Sequence, residues 1–194
     1  MCGRYFIDLG QEGSELIKII EEVKERYKNT LELAAMKTGE IFPTYIVPVL
    51  TSASPLLMKW GFSRFDGKGQ VINARVETVP VKPMFRKPFM EHRCLVPASC
   101  FFEWEKRGPK KQRYAIGLQN TLYMAGLYRF EKDVSVPLFV ILTRPAAPDL
   151  AFIHDRMPVI LAKDMHEAWL SQDADNQEIM KHSVEKLLYR EVLR

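Results

Sequence analysis

Tyr114-Ala115-Ile116-Gly117-Leu118-Gln119-Asn120-Thr121-Leu122-Tyr123-Met124-Ala125-Gly126-Leu127 divides into two short apolar runs, 114–118 and 122–127, with polar residues between them. Each run has the length and composition of a strand, and Gln119-Asn120 reads as the turn of a hairpin joining them. Similar runs lie on either side, at 46–50, 56–60, 95–97 and 138–142. Gly108-Pro109-Lys110-Lys111 is a loop whose charge keeps it in solvent. Short strands that follow one another without intervening helices exclude a βαβ architecture and point to a twisted or barrel-like, mainly antiparallel sheet.

Helices are expected at the two ends. From Ser14 to about residue 28, Leu16, Ile17, Ile20, Val23 and Tyr27 recur at helical spacing, Ser14 is placed to cap, and Glu21, Glu22, Lys24 and Glu25 lie opposite. Two further helices are expected near 163–171 and 177–188. The class is therefore α+β, with one domain over residues 1–194. That length suits a single sizeable core.

Composition narrows the functional classes. The chain is 47% hydrophobic and 27% charged, with 10 Gly and 12 Pro, which is globular rather than disordered or fibrous. No apolar run approaches the roughly 20 residues that span a bilayer. Met1-Cys2-Gly3-Arg4-Tyr5 lacks the apolar stretch of a signal peptide. Three cysteines make no disulfide framework, so a reducing, cytoplasmic setting is expected (nucleoid-associated in a bacterium). Cys94 and Cys100 are five residues apart in between, a poor zinc spacing even with His92 and Cys2 added, and no Cys-x-x-Cys occurs. Phosphate-loop and dinucleotide glycine patterns are also missing. No metal, no cofactor and no nucleotide cofactor are expected.

Charge is uneven. Between residues 59 and 113 there are 13 Lys/Arg against 5 Asp/Glu, interleaved with Trp60, Phe62, Phe65, Phe85, Phe89, Phe101, Phe102 and Trp104. Cations with aromatics suit a nucleic-acid strand, through phosphate contacts and base stacking. A solvated basic face over an aromatic core gives the same composition.

Four residues stand out for chemistry. Removal of Met1 would leave Cys2 with an α-amine and a thiol on one framework. The amine's reference pKa is about 7.7–8.0 against about 10.4 for lysine, so far more of it is neutral and nucleophilic near pH 7. Such an amine forms a Schiff base with an aldehyde, and the thiol can then close a five-membered thiazolidine. His154, in Phe152-Ile153-His154-Asp155-Arg156-Met157-Pro158, falls on a loop entering a strand and could carry protons or be structural. Glu103 sits among aromatics in Phe101-Phe102-Glu103-Trp104-Glu105, where it could be a general acid or base or an exposed strand residue. Asn73-Ala74-Arg75 follows apolar Val71-Ile72; the amide could orient a reacting group and Arg75 could grip a phosphate, or both could be turn and surface residues. His166 and His182 read as surface residues, and His92 as a phosphate or structural contact.

The ordered set Met1-Cys2-Gly3-Arg4-Tyr5, Pro43-Thr44, Trp60-Gly61, Asn73-Ala74-Arg75-Val76-Glu77-Thr78, Arg93-Cys94-Leu95-Val96-Pro97-Ala98, Phe102-Glu103-Trp104, Ile141-Leu142-Thr143 and His154-Asp155-Arg156-Met157-Pro158-Val159-Ile160-Leu161 resembles the SOS response-associated peptidase (SRAP) family of abasic-site-processing proteins. Cys100 stands where that family commonly has Gly, and Arg144-Pro145 departs from its usual second Thr. The resemblance implies covalent capture of abasic sites in single-stranded DNA, with Cys2, Asn73, Glu103 and His154 as catalytic residues. It implies that Arg4, Arg75 and Arg156 hold phosphates and that Pro43 and Trp60 form an apolar wall against bases. Lyase strand scission and a peptidase activity that removes the N-terminal residue are also implied. The expected protein is a monomer whose partner is abasic single-stranded DNA, with no membrane. Two other classes fit the residues: an N-terminal-nucleophile cysteine hydrolase, and a non-enzymatic single-strand-binding module.

Overall fold

The structure is a computed structural model that describes residues 2–10, 14–171 and 176–192, the side chains of residues 176 and 177 excepted. Its strands are β1 (Arg4–Ile7), β2 (Gly39–Ile41), β3 (Ile46–Leu50), β4 (Pro55–Trp60), β5 (Phe62–Ser63), β6 (Gln70–Val71), β7 (Asn73–Arg75), β8 (Arg93–Arg107), β9 (Lys110–Arg129), β10 (Leu138–Pro145), β11 (Arg156–Pro158) and β12 (Leu188–Val192). Its helices are α1 (Glu15–Arg26), α2 (Leu31–Ala35), α3 (Pro83–Glu91), α4 (His166–Ser171) and α5 (Asn176–His182).

One large, mostly antiparallel sheet runs β12-β9-β10-β4-β3-β8-β1-β2, and a further β8–β9 pairing closes its middle into a barrel. The α+β expectation therefore holds. β8 and β9 dominate the design. Their inner halves pair from Arg93↔Leu127 to Ala98↔Leu122 as barrel staves, and their outer halves pair from Cys100↔Gly117 to Arg107↔Lys110. The outer halves project beyond the barrel, flanked by β1 and β2 on one side and β12 on the other.

The joint between the halves corrects one expectation. Gln119-Asn120 is no hairpin turn. β9 passes through it unbroken, and the register against β8 shifts between Ala98 and Cys100. Residues 114–117 and 122–127 both pair with the same neighbour in the same direction, so they cannot fold onto each other. The polar residues mark an outward bulge, which tolerates them as well as a turn does. Gly117 belongs to this joint, since a Cβ there would lie 2.8 Å from the Ser99 carbonyl oxygen. The real hairpin turn is at Gly108, whose φ is +58°.

α1 follows its pattern. Ser14 Oγ accepts from the Ile17 N–H, and Leu16, Ile19, Ile20 and Val23 form the buried face, with Ile19 in place of Ile17. α3 escaped the sequence reading because Pro83 and Pro88 argue against helix, yet Pro83 occupies the helix start, where its fixed φ is favourable. The helix expected over 177–188 ends at His182, and residues 188–192 form the edge strand β12 instead. His166 is not a surface residue: half-buried, it packs on the Tyr123 ring with centroids 4.5 Å apart. His92 lies against Tyr128 and Phe130.

Apolar side chains fill the barrel. Trp60 and Phe139 stack at 6.2 Å, and Tyr5 tilts against Trp60 at 5.2 Å. Outside it, the buried Arg93 guanidinium lies between Phe89 of α3 and Trp169 of α4, and Trp169 Nε1 donates to the Cys94 carbonyl. Among the described residues no helix is long and apolar enough to cross a membrane.

Candidate active site

Three pairings bring residues far apart in sequence to one end of the barrel. β1 lies antiparallel to β8, Arg4 opposite Phe102 and Tyr5 opposite Phe101, which sets Cys2 beside the outer half of β8. β7 runs parallel to β10, with Asn73 opposite Ile141. β11 folds back on the end of β10, which fixes the loop before it, including His154.

Cys2 is wholly buried. Its carbonyl accepts from Asn73 Nδ2 at 2.8 Å, and its thiol points to the Arg4 carbonyl at 3.7 Å. Burial pushes the Cys2 thiol well above the usual thiol range, and the nearby Glu103 carboxylate adds to the rise. Met1 lies outside the described residues.

Glu103, opposite Tyr114, is a buried residue of β8 rather than an exposed strand glutamate. It lines a narrow cleft with His154, Arg156 and Met157. The His154 ring is partly exposed; its Nδ1 accepts from the Arg156 N–H at 3.0 Å and lies 2.7 Å from the Asp155 carboxylate. Asn73 and Glu103 thus approach Cys2 from two different elements, and His154 shares the Glu103 cleft from a third.

The five residues expected to meet DNA are placed less uniformly. Arg75 is exposed and forms no ion pair among the described residues. Arg4 is half-exposed on the opposite face of β1 from Tyr5, where it bonds Glu40 at 3.3 Å and lies over Phe42 and near Trp104. Arg156 is committed inside the protein. Its guanidinium grips both Glu77 oxygens at 2.5 and 2.9 Å and donates to the Thr143 carbonyl at 2.7 Å. Pro43 is half-exposed in the turn before β3. Trp60 is wholly buried and spends its indole N–H on the Ile72 carbonyl, so it stands behind the site and presents no face to a base.

Sequence reasoning gave no role to Glu77 or Asp155. Both lie inside the quoted matching stretches, but the pairing of Glu77 with the 10%-exposed Arg156 side chain is visible only in the structure.

The fold and site define an α+β barrel protein with a buried cysteine at residue 2, bonded by the Asn73 amide and near the Glu103 carboxylate. The chain belongs to the SOS response associated peptidase (SRAP) family, whose model matches residues 1–193. It is 38% identical over 194 residues to the abasic site processing protein YobE of Bacillus subtilis (strain 168), covering 88% of this chain and 82% of that protein. It is 31% identical over 194 residues to the abasic site processing protein YoqW of the same organism, covering 88% and 80%. A solved structure of a Bacteroides thetaiotaomicron protein superposes with a TM-score of 0.80 at 25% identity, over 99% of this chain and 92% of that one.

Proposed function

We propose that this protein processes abasic sites in single-stranded DNA by bonding to them through Cys2 once Met1 has been removed. The observation that carries the reading is the bond from Asn73 to the Cys2 carbonyl, with Glu103 and His154 in the adjoining cleft. The names of the relatives supply the substrate.

The freed α-amine of Cys2 adds its lone pair to the aldehyde carbon of the ring-opened sugar, giving a carbinolamine. Loss of water gives an imine, and addition of the thiol S–H across C=N closes a thiazolidine, the proton passing to nitrogen. Asn73 holds the Cys2 backbone so that the amine faces one direction. Glu103 moves protons in ring opening and dehydration, and His154 assists at the imine and in adduct reversal. Arg4 and Arg75 take phosphates. Arg156 keeps the His154 loop in place and would reach a phosphate only by giving up Glu77. Strand scission from the imine and removal of the protein's own N-terminal residue are secondary activities the same groups would support.

A thiolate hydrolase fits poorly. Such enzymes lower the thiol pKa, whereas burial and Glu103 raise that of Cys2. A closed thiazolidine needs no free thiolate.

The test is a denaturing gel of N-terminally processed protein incubated with single-stranded DNA carrying one abasic site. A shifted band is expected, and Cys2→Ala should abolish it. A heat-stable band of undiminished intensity from Cys2→Ala would overturn the assignment. Cys2→Ser should leave mainly an imine that borohydride traps.

A further inference from the structure

Two neighbours make conflicting demands on one nitrogen of His154. The Arg156 backbone N–H, 3.0 Å from Nδ1, donates and needs a lone pair there. The Asp155 carboxylate, 2.7 Å from the same nitrogen, accepts and needs a hydrogen there. A neutral ring satisfies the first, which places its hydrogen on Nε2. A protonated ring carries hydrogen on both nitrogens and satisfies the second, through a charge-assisted bond. Gaining a proton therefore moves Nδ1 from the amide to the carboxylate.

The backbone around this conflict is held on both sides. The His154 N–H donates to the Leu150 carbonyl at 3.3 Å, and the Ala146 N–H donates to the Asp155 carbonyl at 2.9 Å. Next to them, Met157 pairs with Arg144, and the Arg156 guanidinium is bound by Glu77 and the Thr143 carbonyl. The short Asp155 side chain is thus kept beside the ring. Around the cleft, β8 contributes Glu103 and β11 contributes Arg156, whose charge Glu77 answers. Ile116 of β9, Leu150 and Met157 line the rest and carry no charge. The Asp155 side chain is 82% exposed, so water and salt weaken its pull on the ring without removing it.

We propose that Asp155 is a positioning residue: it takes the Nδ1 hydrogen of protonated His154 and stabilises that form, in which the ring acts as an acid in the cleft shared with Glu103. This rests on the abasic-site reading above.

The test uses the whole, N-terminally processed protein as wild type, Asp155→Asn and Asp155→Glu. Proton NMR in cold, mildly acidic solution reads the ring directly. A far-downfield Nδ1–H signal, assigned by its absence from His154→Gln, should be present in the wild type and lost in Asp155→Asn. Single-turnover crosslinking to an abasic oligonucleotide, at saturating protein, reads the use of that proton. Asp155→Asn should slow it about two- to fivefold around neutral pH, the scale of an exposed ion pair. The gap should close in acid, where both rings are protonated, and Asp155→Glu should restore most of the rate. A signal missing from the wild type, or unchanged by Asp155→Asn, overturns the proposal. So does an unaltered rate profile, or a loss equal at every pH that glutamate fails to rescue, which marks a purely structural residue. If the wild type forms no crosslink, the Cys2 chemistry falls, and the NMR signal alone decides whether Asp155 holds the charged ring.

Discussion

The inner and outer halves of β8 and β9 are built from the same two strands but held by different forces. The inner halves close a barrel around Trp60, Phe139, Met124 and Ile141, all wholly buried, where the stabilising term is apolar area removed from water. The outer halves, with β1, β2 and β12, rely on charged and aromatic contacts. Arg113 lies over Phe102 at 3.7 Å and bonds Glu40 at 2.6 Å, while Arg107 is shared between Glu105 and Glu191. Cys2 and Glu103 are set against the second region, and Asn73 is delivered to it by the first. A rigid apolar ring fixes where the amide comes from, and a more polar sheet carries Cys2 and Glu103.

Four substitutions can break or sharpen that contrast. Phe139→Ala removes the ring stacked on Trp60 and should destabilise the protein by about 3–5 kcal/mol in denaturant titration. A loss below about 1 kcal/mol would show that the barrel is not the stabilising half. Gly117→Val, at the joint, forces atoms against the Ser99 carbonyl and should remove about 1–3 kcal/mol. Glu77→Gln frees Arg156 and should lower stability by about 1 kcal/mol, kept small because Glu77 is 42% exposed. Arg156 holds the Glu77 carboxyl below the ordinary glutamate value of about 4.3, so the pair contributes fully above that pH. The contribution drains away as pH falls through the lowered folded value, and Glu77→Gln should remove that part of the acid loss. Arg107→Ala, at the exposed rim, should alter stability by less than about 1 kcal/mol, measured at low and high salt.

What could be read in the sequence follows the same division. The staves were visible because short apolar runs at 46–50, 95–97, 122–127 and 138–142 leave few alternatives to buried strands. The bulge was not, since Gln119-Asn120 carries the chemistry of a turn and only pairing on both sides with β8 tells them apart. Proline hid α3. At the candidate site the residue types of Cys2, Asn73, Glu103 and His154 were legible, but their meeting depends on the β1–β8, β7–β10 and β10–β11 pairings. Trp60 was misjudged because an indole in a basic, aromatic segment looks the same on a surface as in a core.

β8 and β9 cross from one region to the other without a break. Neither region can therefore come apart without pulling on the other's backbone, and melting should be a single cooperative event. Trp60 and Trp169 report from in and around the barrel, and Trp104 from the outer sheet. Their separate emission signals, isolated by replacing the other two indoles, should share one midpoint.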